Sequence, residues 1–408
     1  MRIMMISQSY PPIIEGISQY VRSLSVELAS RNHDVCVVTL WTEGLPEFEI
    51  DHGVEVYRIK GTLHRIKKAL YSHPGKLYAP PFMDPELMVK LIRLVKNKRP
   101  QIVHAHNWLL RSFIPIKKWS GAKLVVTLQD YNLVCAKWSL IYKNKICEGP
   151  AINKCVGCAA NHYGNLKGSV TLFFNWMMGY FEKSAVDIFI PVSHAVVKGN
   201  RLIENRLPFR LIPNFMLDDA EVFQEANVQY SSQLPEHGYI LFVGAFAENK
   251  GVNILLSAYK EIKNAPPLVL IGYEINIKPF LQTDLPRNVI VLKNWPHPAV
   301  MEAWKHSSMA VIPSVWLDPC PAVAFEAMKM GNPVIASRVG GLTDIVDDGM
   351  NGILITPGDP IQLRQSIELL LMNKELRTRM SRAAKIKAKN YMASRVVPLI
   401  EALYNEIL

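Results

Sequence analysis

Short apolar strands alternate with amphipathic helices along this chain, and the series runs its course twice. In the first half RIMMIS opens the chain, followed by VCVVTL at 35–40, VEVYRI at 54–59, QIVHAH at 101–106, KLVVTL at 123–128 and SAVDIFIPV at 184–192. Between them, residues 18–30 set Val21, Leu24, Leu28 and Ala29 on one helical face, and ELMVKLIRLVKNKRP reads as a helix stopped by Pro100. The segment 211–214, LIPN, closes the half. YILFVG at 239–244 restarts the pattern, with LVLIG, VIVLKN, MAVIPS, PVIAS and GILIT to follow by 356. Strands this short and apolar suit parallel sheets covered by helices on both faces. The expected fold is α/β, with two Rossmann-like domains facing each other across a cleft. The expected boundaries are 1–214 and 215–390, with 217–236 as a polar linker and the final helix, 391–408, docking back on the first domain through Val396, Val397, Leu399, Ile400 and Leu403.

At 408 residues the chain exceeds one ordinary core, which agrees with two domains. Charge is divided unevenly. Met1–Asn214 carries 28 Lys and Arg against 15 Asp and Glu, a balance of +13, and the remainder carries −2. A basic half calls for an anionic partner, whether a phosphorylated substrate or an anionic membrane surface, or else it is a solvated face. No nucleic-acid motif accompanies the charge, so no nucleic acid is expected. MRIMMIS is too short for a secretory signal, and the longest uncharged apolar stretch, Gly168–Phe181, is too short to span a bilayer. The expectation is a cytoplasmic protein, with a peripheral place at the inner face of the membrane left open. The aromatic stretch itself reads equally as a buried helix or as a membrane-docking one. Of six cysteines, Cys36 reads as core. Cys135, Cys147, Cys155 and Cys158 form a cluster open to three readings: structural zinc, disulfides or unlinked thiols.

Chemistry concentrates in a few turns. Residues 313–341 read PSVWLDPCPAVAFEAMKMGNPVIASRVGG, with Asp318 eight residues before Glu326. This is a strand, a Pro-rich loop, a helix opening at Glu326 and stopping at Gly331, and a strand. The loop and helix start can hold phosphate through backbone N–H groups, and the acids can accept from sugar hydroxyls. Pro319 and Pro321 carry no N–H, so the donors must be Cys320, Ala322 or Val323. The bland reading is an ordinary βαβ unit with two surface acids. Val243–Gly251 places Gly244 after a strand and Lys250 before a helix, where the ammonium can meet a diphosphate or simply stand in solvent. The first turn, Tyr10–Ile17, contains Gly16, and His106 ends the strand IVHAH. Thr127–Tyr131 places Gln129 and Asp130 at another strand end.

Together these segments resemble the retaining glycosyltransferases of family 4, the group 1 glycosyltransferases. The likeness runs from Met1 to the final helix and is strongest over 239–357. It implies the GT-B fold and transfer from a nucleotide-sugar donor to a hydroxyl of a glycan, lipid-linked or small-molecule acceptor. It also implies retained anomeric configuration and no required cofactor or catalytic metal. Lys250, Asp318 and Glu326 would be catalytic, with Lys250 on the leaving diphosphate, Asp318 on the sugar and Glu326 on the ribose. Gly16, Gly244, Cys320, Ala322 and Val323 would complete the donor site. His106, Gln129 and Asp130 would lie on the acceptor side. The chain departs from the family at three places. Glu15 replaces the second glycine of the first turn, Ala245 replaces an arginine, and Gln129 replaces a histidine and cannot hold a proton. A nucleotide-sugar epimerase or hydrolase on the same scaffold, or a weakened sugar-nucleotide-binding protein, are the alternatives.

Overall fold

The computed structural model describes residues 1–13, 16–62, 64, 79–218, 228–236, 238–273 and 285–408. Glu15 and much of the expected linker, 219–227, lie outside the described residues. The chain divides into two compact units. The first comprises Met1–Tyr142, Cys147–Pro213 and Val397–Leu408, and the second comprises Lys143–Ile146 and Asn214–Val396.

The first unit is built on a seven-stranded sheet. Its strands are β1 (Arg2–Ile6), β2 (Asp34–Leu40), β3 (Phe48–Asp51), β4 (Val54–Ile59), β5 (Ile102–Ala105), β6 (Lys123–Leu128) and β7 (Ile188–Pro191). They lie in the order β3-β4-β2-β1-β5-β6-β7, all parallel except β3 against β4. Without the edge strand β3 this is the doubly wound order, in which strands are added one way from β1 and then the other. β3 escaped the sequence reading because FEID leaves Phe48 and Ile50 exposed and buries no apolar face. The strand expected over 184–192 is shorter, since Ser184 and Ala185 still belong to the preceding helix.

The final helix spans Ala393–Ile407, and its part from Val397 onward belongs to the first unit. Tyr404 Oη lies 2.6 Å from His104 Nδ1, and Glu401 meets His33 at 2.8 Å and Arg31 at 3.2 Å. Val396, Val397, Ile400 and Leu403 are buried, but Leu399, at the margin of that face, is 52% exposed. The stretch read as apolar from Gly168 to Phe181 forms the middle of a longer helix, Asn165–Ala185. It is not a simple buried helix. It turns Gly168, Thr171, Asn175, Met178, Gly179 and Glu182 inward, packs Phe174 against Phe82, and leaves Phe173, Trp176, Tyr180 and Phe181 outside. Among the described residues no helix is long and apolar enough to cross a membrane.

The second unit has a six-stranded, fully parallel sheet: β8 (Tyr239–Val243), β9 (Leu268–Gly272), β10 (Val289–Lys293), β11 (Ser307–Ile312), β12 (Val334–Ser337) and β13 (Gly352–Ile355). The order β10-β9-β8-β11-β12-β13 repeats the doubly wound pattern. Phe242, Leu255, Tyr259, Val311, Ile335 and Ile367 meet in one core, the strands giving alternate residues and the helices their apolar stripes.

Candidate active site

In the second unit the direction of strand addition reverses between β8 and β11, which lie side by side. A crevice beyond the carboxyl ends of such strands is where doubly wound sheets bind ligands. The turn after β8 runs from Gly244 to Gly251. It ends in a single tight turn, Glu248–Lys250, and then the helix Val252–Lys260. Gly251 has φ +73°, and a Cβ there would stand 1.9 Å from the Pro313 carbonyl oxygen. Only glycine lets this turn close against the end of β11. The Asn249 carbonyl then accepts from Val315 N–H at 3.0 Å. The result is that Lys250 Nζ donates to Asp318 Oδ2 at 2.5 Å and lies 5.3 Å from the centre of the Trp316 ring. Lys250 is therefore neither a free loop lysine nor a lone phosphate cation; it is paired with the first acid. The Asp318 side chain is only 7% exposed.

The loop that carries Asp318 is held from behind by Gly340 and Gly341. A Cβ on Gly340 would come within 2.4 Å of the Asp318 carbonyl oxygen, and one on Gly341 within 2.1 Å of that of Pro319. Gly341 N–H donates to the Asp318 carbonyl at 2.7 Å. The glycine pair thus presses backbone on backbone. Asp348 and Asn351, further along the same unit, serve the fold. Asp348 Oδ1 accepts from Leu354 N–H at 2.9 Å, and Asn351 Oδ1 accepts from Asp347 N–H at 2.8 Å.

The helix with the second acid corrects the sequence reading. It spans Ala322–Lys329, so Glu326 is its fifth residue and not its first. The steric restriction of a proline falls on the residue before it, so Pro321 can cap the helix and Ala322 can begin it at once. The helix ends as expected, with Gly331 at φ +89°. The N–H groups of Ala322 and Val323 occupy its first turn, where no intrahelical carbonyl serves them. Cys320 is buried, and burial pushes its thiol up to about 12, so it stays neutral. Glu326 Oε1 meets His297 Nε2 at 3.0 Å, and this hydrogen bond raises the pKa of the imidazole. Neither His297 nor Trp316 was foreseen. His297 stands at the start of its own helix with nothing in the sequence to link it to Glu326.

In the first unit the matching reversal lies between β1 and β5. His106 follows β5, and its N–H donates to the Ile6 carbonyl at 3.1 Å. The side chain is buried, and neither ring nitrogen has a hydrogen-bond partner among the described residues. Burial pulls its pKa down to about 3, so the ring is neutral. His104, whose ring centre is 4.4 Å away, has structural partners in Tyr404 and Thr127, each at 2.6 Å. Gly16 opens the helix Gly16–Ser30, and a Cβ there would meet nothing within 4 Å. Among the described residues nothing crowds that position. Gln129 and Asp130 follow β6. Asp130 Oδ1 accepts from Asn132 N–H at 2.9 Å, and burial pushes its carboxyl up to about 7, helped by Glu182 and opposed by Arg111.

Cys135, Cys147, Cys155 and Cys158 line one small pocket of the first unit, and all four are free thiols. Among the described residues no three His, Cys, Asp or Glu side chains are gathered as a metal-binding group.

Two doubly wound units, one with a lysine–acid pair at its strand reversal, define a GT-B protein. The fold is shared along the whole chain with sucrose-phosphate synthase from Thermosynechococcus elongatus, at a TM-score of 0.73, 18% identity and 99% and 98% coverage of the two chains. A second solved structure, HepE of Anabaena in complex with UDP-glucose, gives a TM-score of 0.64 at 16% identity, covering 99% of this chain and 98% of that one. Residues 225–387 match the family described as Glycosyl transferases group 1, and residues 15–161 match the Glycosyl transferase 4-like domain. An uncharacterized glycosyltransferase of Methanocaldococcus jannaschii is 33% identical over 250 residues, covering 60% of this chain and 68% of the relative. The chain belongs to the group 1 glycosyltransferases, and it is a glycosyltransferase.

Proposed function

We propose that the second unit binds a nucleoside-diphosphate sugar and that the enzyme transfers the sugar, with retention, to a hydroxyl of a glycan, lipid-linked or small-molecule acceptor. The observation that carries this reading is the 2.5 Å contact between Lys250 and Asp318 at the carboxyl ends of the two central strands. The pair sets a cation and a sugar-hydroxyl acceptor side by side at the reversal of the sheet. The UDP-glucose complex of HepE, which shares the fold, favours the same donor class.

In this reading Lys250 leaves Asp318 for the donor's diphosphate and stabilises the charge that grows on it as the glycosidic bond breaks. The N–H groups of Cys320, Ala322 and Val323 add dipoles aimed at the same phosphates. Asp318, released, accepts from the sugar's hydroxyls. Its carboxylate stands one methylene short of the glutamate usual in the family, which alters the sugar preference. Glu326 accepts from the ribose and is oriented by His297. Gly16 and Gly244 let backbone approach the donor. His106, Gln129 and Asp130 line the acceptor side. His106, neutral and unpaired, can donate or accept one hydrogen bond without carrying charge. A donor phosphate oxygen takes the acceptor's proton, since Gln129 cannot.

The test is a thermal-shift screen of the intact protein against a panel of nucleotide sugars, followed by product analysis with the donor that stabilises it. A stabilising donor, a transferred sugar of unchanged anomeric configuration and turnover that survives chelation are expected. Donor hydrolysis unchanged by any acceptor, or an inverted product, would overturn the reading.

A further inference from the structure

Trp316 stands beside the Lys250–Asp318 pair without joining it by a hydrogen bond. Its indole Nε1 is buried and has no hydrogen-bond partner among the described residues. A tryptophan kept for the fold usually finds a partner for that N–H. What this ring offers is its face, whose centre lies 5.3 Å from Lys250 Nζ. A cation within about 6 Å of such a face is drawn to it by the ring quadrupole, and tryptophan attracts it best of the aromatic residues. The backbone fixes the approach. Val315 N–H donates to the Asn249 carbonyl at 3.0 Å, so the neighbours of Trp316 and Lys250 are tied directly together. On the other side of Lys250, Gly251 closes on Pro313 so tightly that a Cβ would stand 1.9 Å from the Pro313 carbonyl oxygen. Ring and ammonium therefore keep their register whether or not Asp318 holds the lysine.

The use of such a seat follows from the chemistry of the lysine. In the structure the ammonium is held by Asp318 at 2.5 Å. When a diphosphate draws it away, the carboxylate no longer fixes it, and a flexible four-carbon stem has many other places to go. A ring face holds a cation without neutralising it and occupies none of its three N–H donors, so all three remain for phosphate oxygens. A second carboxylate in that place would compete with the phosphate for the charge. We infer, on the donor-site reading above, that Trp316 is a positioning residue. Its ring face keeps the Lys250 ammonium at the strand ends as the lysine passes from Asp318 to the leaving diphosphate. Trp316 acts through Lys250, and the electronics of its ring, rather than its bulk or its N–H, set its contribution.

Tryptophan analogues carrying one, two and three ring fluorines, placed at position 316 of the intact protein, test this. Fluorine drains negative charge from the ring face and hardly changes its shape, so a role in packing alone would not register the series. Turnover is measured at saturating concentration of the nucleotide sugar that stabilises the protein in the thermal-shift screen, beside donor affinity by calorimetry. Across the series kcat is expected to fall stepwise, about tenfold in all, while donor affinity changes by less than about threefold. W316F keeps a weaker face and should lose about threefold in kcat, and W316L, without a face, about tenfold. A melting temperature within about 4 °C of the parent shows that a variant is folded. Should W316L fail that check, the fluorinated chains, which keep the ring, serve alone. A kcat that stays flat across the series overturns the inference, and so does W316F as slow as W316L. K250A separates this failure from failure of the donor site. Normal turnover in K250A, or no nucleotide sugar that stabilises the protein, overturns the donor-site reading and the role of Trp316 with it. A slow K250A beside a flat fluorinated series overturns the role of Trp316 alone.

Discussion

Among single residues, Lys250 and Glu326 separate two roles that are easily merged. Charge grows on the diphosphate only as the glycosidic bond breaks, so a cation placed there acts mainly on the transition state. Lys250→Ala is expected to lower kcat far more than donor affinity, measured by steady-state kinetics beside calorimetry. Normal turnover at saturating donor would move the essential cation elsewhere. Glu326→Ala is expected to weaken donor binding by about 1–3 kcal/mol, the loss of charged hydrogen bonds to the ribose. Unchanged affinity in calorimetry would remove Glu326 from the site. Asp130 carries a pH dependence of its own. Its carboxyl titrates at about 7 in the folded chain, against about 4 for a free aspartate. From pH 4 to 7 the folded state thus keeps a proton that the unfolded state has released, and stability falls as pH rises through that window. Asp130→Asn retains an acceptor for Asn132 N–H and removes the titration. Its melting temperature should gain on the parent's between pH 5 and pH 8, and a constant gap would show that the carboxyl titrates normally.

At the level of elements, helices and strands with one buried apolar face were legible, and those without were not. β8, β9 and β12 could be read directly because they are apolar along almost their whole length. β3 could not, for it is an edge strand with little to bury. The start of the helix Ala322–Lys329 was misplaced because two prolines were taken as a loop, although the second caps the helix. Legible as candidates were the chain-local turns that carry Lys250 and Asp318. The contacts made at long range were not, since no spacing in the sequence announces that His297 meets Glu326. The same holds for Arg111, which anchors the long helix by its polar side. The Arg111 and Glu182 side chains are fully buried, and Arg111 also donates to the Pro81 carbonyl at 2.7 Å. Arg111→Ala leaves Glu182 buried without its cation and is expected to cost about 3–5 kcal/mol. Denaturant unfolding measures this, and a loss below about 1 kcal/mol would show that the carboxyl is already protonated in the folded state.

For the whole molecule, the two parallel sheets and their shared strand order follow from the repeated alternation of apolar strands and amphipathic helices. The assignment of Val397–Leu408 to the first unit is not written in that pattern, because an amphipathic terminal helix could dock on either unit. It is fixed by particular partners: Tyr404 on His104, and Glu401 on His33 and Arg31. Ending the chain at Val396 is expected to loosen the first unit selectively. Hydrogen exchange should quicken in β1 and β5 and stay as slow as before in β8 and β11. Equal acceleration in both sheets would show that the segment stabilises the molecule generally.

That same terminal segment orders events during synthesis. On the ribosome the first unit emerges early, yet the residues that cover His104 and pair with His33 are made only after the whole second unit. The second unit can therefore finish folding while the first still waits for its closing piece. A nascent chain cut short before Val397 would leave an otherwise complete first unit with an uncovered face, and such a face is what chaperones and proteases recognise.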